Sequence, residues 1–196
     1  RDRFQGNFIH MNEDAIEKGL SEPPFAWLVP PDQRDPRRAY EMLERLDATA
    51  IEVHQAEEAF EADGVEYPEG TFIMYTAQPF RPHLMDMMER QVYPDRSLYP
   101  GGPAEPPYDM AGWTLPLQMG VRHVEVAGRF NVEAAKLGSI PFPDGSVDSS
   151  SASTRIVLPG KNDDYRLMTR LHENDVPFYI VRAGGGDLEP GTIILE

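Results

Sequence analysis

The chain contains no cysteine among its 196 residues. Disulfides, thiolate metal sites and cysteine nucleophiles are therefore excluded. Lysine is also scarce and occurs only at Lys18, Lys136 and Lys161. With 33 acidic against 18 basic residues, the formal net charge is -15, which disfavours a nucleic-acid backbone or an anionic membrane surface as a partner. An acidic, lysine-poor surface is also typical of proteins from high-salt cells, so we expect a halophilic origin.

Long apolar runs are also absent from the sequence. No stretch approaches the ~20 apolar residues that a helix needs to cross a bilayer, so we predict no membrane span. The start of the chain lacks the apolar segment of a secretion signal and already has helical spacing up to Lys18, with Gly19 as the predicted stop. We therefore expect the chain to be excised from a longer protein. Its 40% apolar residues are enough to fill one sizeable core.

An internal repeat organises the chain. Residues 25–75 and 154–196 each open with a short apolar run ending in proline, followed by a polar turn, a helical segment, a second apolar strand and a Pro/Gly/Thr turn into a third strand. The matched helical positions are Tyr40, Met42, Leu43, Arg45 and Leu46 in the first copy and Tyr165, Leu167, Met168, Arg170 and Leu171 in the second. The matched first strands are Trp27-Leu28-Val29-Pro30 and Ile156-Val157-Leu158-Pro159, and the second strands begin at Ile51 and Val176.

Alternation of strand and helix predicts one α/β domain over residues 1–196. We expect a layered sheet with flanking helices, flavodoxin-like or amidotransferase-like, made of two related β-α-β halves. The halves are separated by a proline- and glycine-rich middle segment at 76–153, whose serine-rich end at 146–153 is a predicted linker. Oligomeric state is not predictable from this pattern.

A polar loop follows the first predicted strand, and it is the candidate binding site. Ligands in α/β sheets bind beyond the carboxyl ends of strands, which points to Asp32, Gln33, Arg34 and Asp35, with Asp35 also a predicted N-cap before Pro36. Further residues predicted around the same strand-end cleft are Arg81, Asp109 and Trp113. Together they favour a small-molecule or glycan-binding module as one reading of the chain.

A metal site is a second candidate. His10 and Glu13 have the spacing of a His-x-x-Glu zinc pair, and His123 lies far downstream as a possible third ligand. The pair falls in a segment of helical spacing, where an (i, i+3) His/Glu pair is usually a polar face. We therefore predict no metal site in this chain, and an independent zinc hydrolase stays an alternative.

Several longer motifs carry a resemblance to a known family. They are Ala-Ile-Glu-Lys-Gly at 15–19, Ser-Glu-Pro-Pro at 21–24, Asp-Gln-Arg-Asp-Pro at 32–36, Ala-Gln-Pro-Phe-Arg at 77–81, Tyr-Pro-Gly-Gly-Pro at 99–103, and Tyr-Asp at 108–109 with Gly-Trp-Thr-Leu-Pro-Leu-Gln-Met-Gly-Val at 112–121. These runs resemble the region after the catalytic domain in large bacterial zinc carboxypeptidase (carboxypeptidase A-like) metallopeptidases. The resemblance covers the chain up to about Val126.

The resemblance implies a glutamine-amidotransferase-like accessory domain of a secreted or periplasmic peptidase. Its implied partner is the parent's own peptidase domain, which would hold the zinc and hydrolyse peptides, while this chain would carry no cofactor. Amidotransferase chemistry uses a cysteine nucleophile, which is absent here, and no Gly-x-Ser-x-Gly motif replaces it. We therefore expect no catalytic residues in this chain.

Overall fold

The structure, a computed structural model, describes residues 2–90, 92, 96–106, 114–143, 154–157, 161–184 and 188–195. Helices and short strands share this part of the chain. The helices are α1 (Asp2–Ser21), α2 (Pro36–Ala48), α3 (Arg81–Met88), α4 (Leu115–Met119) and α5 (Asn162–Glu173). The strands are β1 (Ala26–Val29), β2 (His54–Ala56), β3 (Phe60–Ala62), β4 (Val65–Tyr67), β5 (Phe72–Tyr75), β6 (Val124–Val126), β7 (Ala134–Lys136), β8 (Arg155–Val157), β9 (Phe178–Ile180) and β10 (Ile193–Leu195).

The first unit forms a five-stranded sheet in the order β6-β1-β5-β2-β7. Every pair of neighbours in it is antiparallel. Since β1 and β2 both run antiparallel to β5, they are parallel to each other on either side of it, and α2 connects them. The chain is thus a mixture of helices and antiparallel sheets, which agrees with the α/β class in its broad form.

The second unit forms a three-stranded sheet in the order β8-β10-β9. It places its third strand in the middle, as the first unit does. The same turn leads into that strand in both: the Gly70 amide donates to Ala56 O (2.9 Å) and the Gly191 amide to Val181 O (2.7 Å). Both glycines have positive φ, 82° and 94°, which side chains other than glycine rarely adopt.

Three details of the predicted repeat are wrong. In the second copy, the second strand, predicted to begin at Val176, begins at Phe178. In the first copy, the second strand, predicted to begin at Ile51, begins at His54, because the Glu52 amide is bound by the Gln78 side chain (2.8 Å) and not by a neighbouring strand. The first strands are also displaced by one residue. Val29 pairs with Phe72 and Val157 with Ile193, so the strand register matches Val29 to Val157 and not to Leu158.

Both faces of the first sheet are covered. One face packs against α2, α3 and α4, and its fully buried side chains include Trp27, Phe72, Met74, Leu43 and Leu84. The other face packs against the β3–β4 hairpin and the segment after β6. Its members are Ala26, Leu28, Ala56, Phe60, Ala62, Tyr67, Ile73 and Val126, with Tyr75, Val124, Phe130, Val132 and Ala134 partly buried against them.

Among the described helices, α5 lies beside one face of the second sheet and covers it incompletely, since Ile180 on that face is 48% exposed. Met168 of α5 lies with Ile180 and Ile193 around one recess. Successive residues of a strand point to opposite faces, so Ile156, Ile194 and Tyr179, which pair across the three strands, lie on the other face. We call these three residues the second-sheet row. Ile156 is 53% exposed and Tyr179 59% exposed.

The equivalent row in the first sheet is Leu28, Ile73 and His54. Leu28 and Ile73 are fully buried there. The difference follows from the connection before the middle strand, which holds the β3–β4 hairpin in the first unit. Among the described helices, none is both long and apolar enough to cross a membrane.

Candidate functional site

A recess of about 430 Å³ lies over the second face of the first sheet. Its walls carry the side chains of Phe25, Glu52, His54, Tyr75, Arg129 and Phe130, and the end of α1 closes one side at Gly19 and Leu20. We call it the aromatic recess. Its volume falls within the range of small-ligand sites.

Strand register brings the aromatic walls together. His54 and Tyr75 lie on paired strands β2 and β5, and their rings meet edge to face with centroids 5.1 Å apart. Phe130, from the segment after β6, stacks on Tyr75 at 5.9 Å and on Phe60 at 5.4 Å. Mutual packing of this kind fixes each ring, so the recess has a preformed apolar wall.

The surroundings of His54 favour its neutral form at neutral pH, because they lower its pKa. Burial is the main cause that lowers the pKa of its imidazole; the Glu52 carboxylate partly offsets this, and Lys136 lowers the pKa further. Its Nδ1 is buried and has no hydrogen-bond partner in the described part of the chain. Burial also raises the pKa of Tyr75, so its hydroxyl keeps its proton. Neutral donors and acceptors therefore line the inner part of the recess.

Charge in the recess comes from Glu52 and Arg129. The Glu52 carboxylate pairs with Lys136 Nζ at 2.7 Å, which neutralises it locally. The Arg129 guanidinium lies over the Phe25 ring, 4.6 Å from its centroid, and donates to the Leu20 carbonyl. A guanidinium has five N–H donors, so this arrangement leaves capacity for a ligand.

Gln78 supports the floor of the recess. It is 2% exposed, accepts from the Glu52 amide at 2.8 Å and donates to the Tyr75 carbonyl at 2.6 Å. One buried amide therefore ties the chain before β2 to the end of β5. Strands β2 and β5 form the floor of the recess, and the loop at 129–131 forms one of its walls.

The loop predicted as the binding site has structural contacts. Asp32 is exposed and pairs with Arg122 (3.4 Å). Gln33 donates to Pro30 O and Arg122 O and accepts from the Arg122 amide at 2.8 Å, so it joins the loop to the segment before β6. Asp35 occupies the N-cap position of α2 without a side-chain cap. The predicted N-cap position is thus confirmed, but the Asp35 side chain does not cap the helix: its Oδ2 accepts from the Asn162 backbone amide at 2.9 Å and links the loop to α5.

Arg34 of this loop and Arg81, two further predicted binding residues, line different recesses. Arg34 lies in a recess of about 420 Å³ beside α5, whereas Arg81 lies in one of about 440 Å³ between α1 and α3. The reason is antiparallel pairing: Ala26 pairs with Tyr75, so the end of β5 that leads to Arg81 is beside the start of β1. The loop follows the other end of β1. Asp109 and Trp113 lie outside the described residues.

The alternative metal ligands are spread over different surroundings. His10 Nδ1 and Glu13 Oε2 are 4.0 Å apart on an exposed part of α1. The His123 ring packs on Trp27 with centroids 5.7 Å apart, and burial lowers its pKa. In the described ranges, no three His, Asp or Glu side chains form a group that could hold a metal ion.

We expect the half-buried His54 to make folding stability fall in mild acid. Its folded-state pKa is lowered, so the unfolded chain takes up the proton first as the pH drops below about 6.5, and folding stability is lost from there downwards. The thermal midpoint of the wild type should therefore fall between pH 7 and about pH 5.5, and His54→Phe, which keeps a ring against Tyr75, should reduce that fall. Replacement of the exposed His172 by Phe is the control; equal falls in wild type and His54→Phe would contradict the expectation.

Residues of the aromatic recess come from four separated parts of the chain, and no spacing in the sequence joins them. The sequence signal that could have found the site is the alternation in β2 and β5, which puts His54 and Tyr75 on one face.

Comparisons with known proteins add no relative: no family model matches the chain, and no curated protein or solved structure is significantly similar to it.

Proposed function

We propose that this chain is a non-catalytic accessory domain that docks on a larger protein through the second-sheet row. The observation that carries the proposal is the exposure of Ile156 and Tyr179, which are equivalent to the buried Leu28 and the half-buried His54 of the first unit. An uncovered apolar sheet face is a typical protein interaction surface. The acidic character of the chain makes a protein partner more favourable than a nucleic acid.

The resemblance of the chain up to about Val126 to zinc carboxypeptidase-like proteins suggests which partner to test. In that proposal the partner is the peptidase domain of the same parent protein, which holds the zinc and hydrolyses peptides in a secreted or periplasmic location. The finer fold assignment, flavodoxin-like or amidotransferase-like, belongs to the same proposal. Its support is the β1-α2-β2 connection, in which parallel strands are joined by a helix as in those folds.

The test has two parts: the coding sequence upstream of residue 1 is determined, and binding is then measured. If a His-x-x-Glu peptidase domain is encoded upstream, the two domains are produced as separate chains and their association is measured by calorimetry. Ile156→Ser and Tyr179→Ser should each weaken association about tenfold or more, because buried aromatic and aliphatic anchors contribute most of an interface's energy. Val65→Ser, at a 51% exposed apolar position on β4, is the matched control.

Two results would contradict the docking proposal. One is absence of any association between the separate domains. The other is association that Ile156→Ser and Tyr179→Ser leave unchanged while the variants stay folded. An upstream frame without a peptidase domain would reject the carboxypeptidase partner, and the same variants would then be tested on the domain that is encoded there.

A second candidate function is a small-molecule-binding module, which the aromatic recess favours. The recess is independent of the second-sheet row, because it lies on the first unit and is built from β2, β5, the end of α1 and residues 129–131. In contrast to the predicted loop at 32–35, it combines a preformed aromatic wall with a few polar groups, which is the usual composition of a ligand site.

A further inference from the structure

We propose that the aromatic recess binds a small molecule that combines a flat apolar group with a single carboxylate. This inference rests on the small-molecule-binding function, and it adds the chemical class of the ligand. Arg129 would bind the carboxylate, and the rings of Tyr75 and Phe130 would contact the apolar part.

The apolar half of the ligand follows from the wall. Tyr75 and Phe130 are stacked with an interplanar angle of 19°, and His54 meets Tyr75 edge to face. These rings hold one another in place, so a ligand gains contact area without ordering them. A flat group matches such a wall better than a branched sugar chain, which would need more polar partners for its hydroxyls.

The carboxylate half follows from the charges. The Glu52 carboxylate is held by Lys136 at 2.7 Å, and the Arg129 guanidinium remains as the positive group that faces the recess. Arginine binds carboxylates through paired N–H donors, which makes these contacts stronger than neutral hydrogen bonds. The neutral His54 and the Tyr75 hydroxyl add no negative charge that would oppose the anion.

A cationic ligand fits the recess poorly. The face of Phe25, which would attract an ammonium group, is already covered by Arg129, 4.6 Å from the ring centroid. A second cation there would lie beside the guanidinium and be repelled by it. The aromatic residues therefore offer an apolar wall and not a cage for a cation.

Phenylacetate is the first probe, with phenylacetamide as its neutral match and phenethylamine as its cationic match. Each is titrated into the isotope-labelled 196-residue chain and followed by amide chemical shifts in NMR. We expect saturable shifts with phenylacetate at Gly19, Ala77 and Asn131, which line the recess. Phenylacetamide should bind about tenfold more weakly or worse, and phenethylamine should give no saturable shift at these amides.

Arg129→Gln should reduce phenylacetate affinity about tenfold or more, with Arg129→Lys intermediate because it keeps charge but loses the paired donors. Arg122→Gln, on an exposed arginine that pairs with Asp32, is the matched control and should leave affinity unchanged. The wild-type comparison of the three probes needs no variant, so it stands even if a substitution at Arg129 impairs folding.

Two kinds of result would overturn the inference, and they differ in whether the small-molecule-binding function is rejected with it. Equal binding of phenylacetate and phenylacetamide at these amides would reject the carboxylate class but leave a small-molecule module. Absence of saturable binding by any of the three probes, or shifts confined to other residues, would reject the inference for this recess. Neither result bears on docking through the second-sheet row.

Discussion

Leu28→Ala is expected to lower the free energy of unfolding by about 3 kcal/mol, whereas Ile156→Ala should lower it by less than about 1 kcal/mol. The two positions are equivalent in the register of the two units. Leu28 is fully buried between the first sheet and its cover, while Ile156 is 53% exposed. Truncation at Leu28 leaves a cavity in a packed interior, and truncation at Ile156 removes contact mainly with water.

Equilibrium unfolding in guanidinium chloride, followed by circular dichroism, measures both changes. Ile73 and Ile194 are a second pair of equivalent positions on the same two rows. Ile73→Ala should lower the free energy of unfolding more than Ile194→Ala does. If Ile156→Ala lowered the free energy of unfolding as much as Leu28→Ala, the exposure of the second-sheet row would be contradicted. Such a result would mean that something covers this face in solution. The slope of the transition should stay constant, so that the midpoints report stability.

The sequence predicted helix starts and turns more accurately than it predicted how the strands pair. The helix beginning at Pro36 was predicted from proline at its first position, and α2 begins there. The glycine turns before β5 and β10 were predicted from their Pro/Gly/Thr pattern, and Gly70 and Gly191 have the positive φ that such turns need. These features depend on a few neighbouring residues, so local chemistry decides them.

Strand direction and site position depend on distant residues and could not be predicted in the same way. The binding-site prediction assumed that polar residues after different strands meet at one edge, as they do in a parallel sheet. Here β1 and β5 are antiparallel, so Asp32 and Arg81 follow opposite ends of the sheet. The aromatic recess needs the end of α1 and residues 129–131 over β2 and β5, which no pattern within one segment specifies.

The predicted stop of the first helix at Gly19 was wrong for an instructive reason. α1 continues to Ser21, and Gly19 is one of its buried residues. A β-carbon at this position would lie 2.3 Å from Thr76 O and 2.4 Å from the Ala77 Cα atom. Glycine is therefore required for close packing of the helix on the chain after β5, and the same packing forms one side of the aromatic recess.

Gly19→Ala is accordingly expected to destabilise the protein by about 2 kcal/mol or more, because the atoms in the way are backbone atoms that cannot rotate aside. Gly6→Ala in the same helix is the matched control, since nothing lies within 4 Å of its added β-carbon. There the usual helix preference for alanine should stabilise α1 by up to about 1 kcal/mol. The same substitution thus has opposite signs at two positions of one helix.

Thermal unfolding gives the global change, and hydrogen exchange of the α1 amides shows where it occurs. For Gly19→Ala we expect faster exchange at the end of α1, together with weaker phenylacetate binding if that ligand binds the wild type, because Gly19 lines the aromatic recess. Core amides of β1 and β5 should stay protected, since helix α2 covers them independently of α1. A neutral or stabilising effect of Gly19→Ala would mean that α1 does not pack on Thr76 and Ala77, and the recess would then lose that wall.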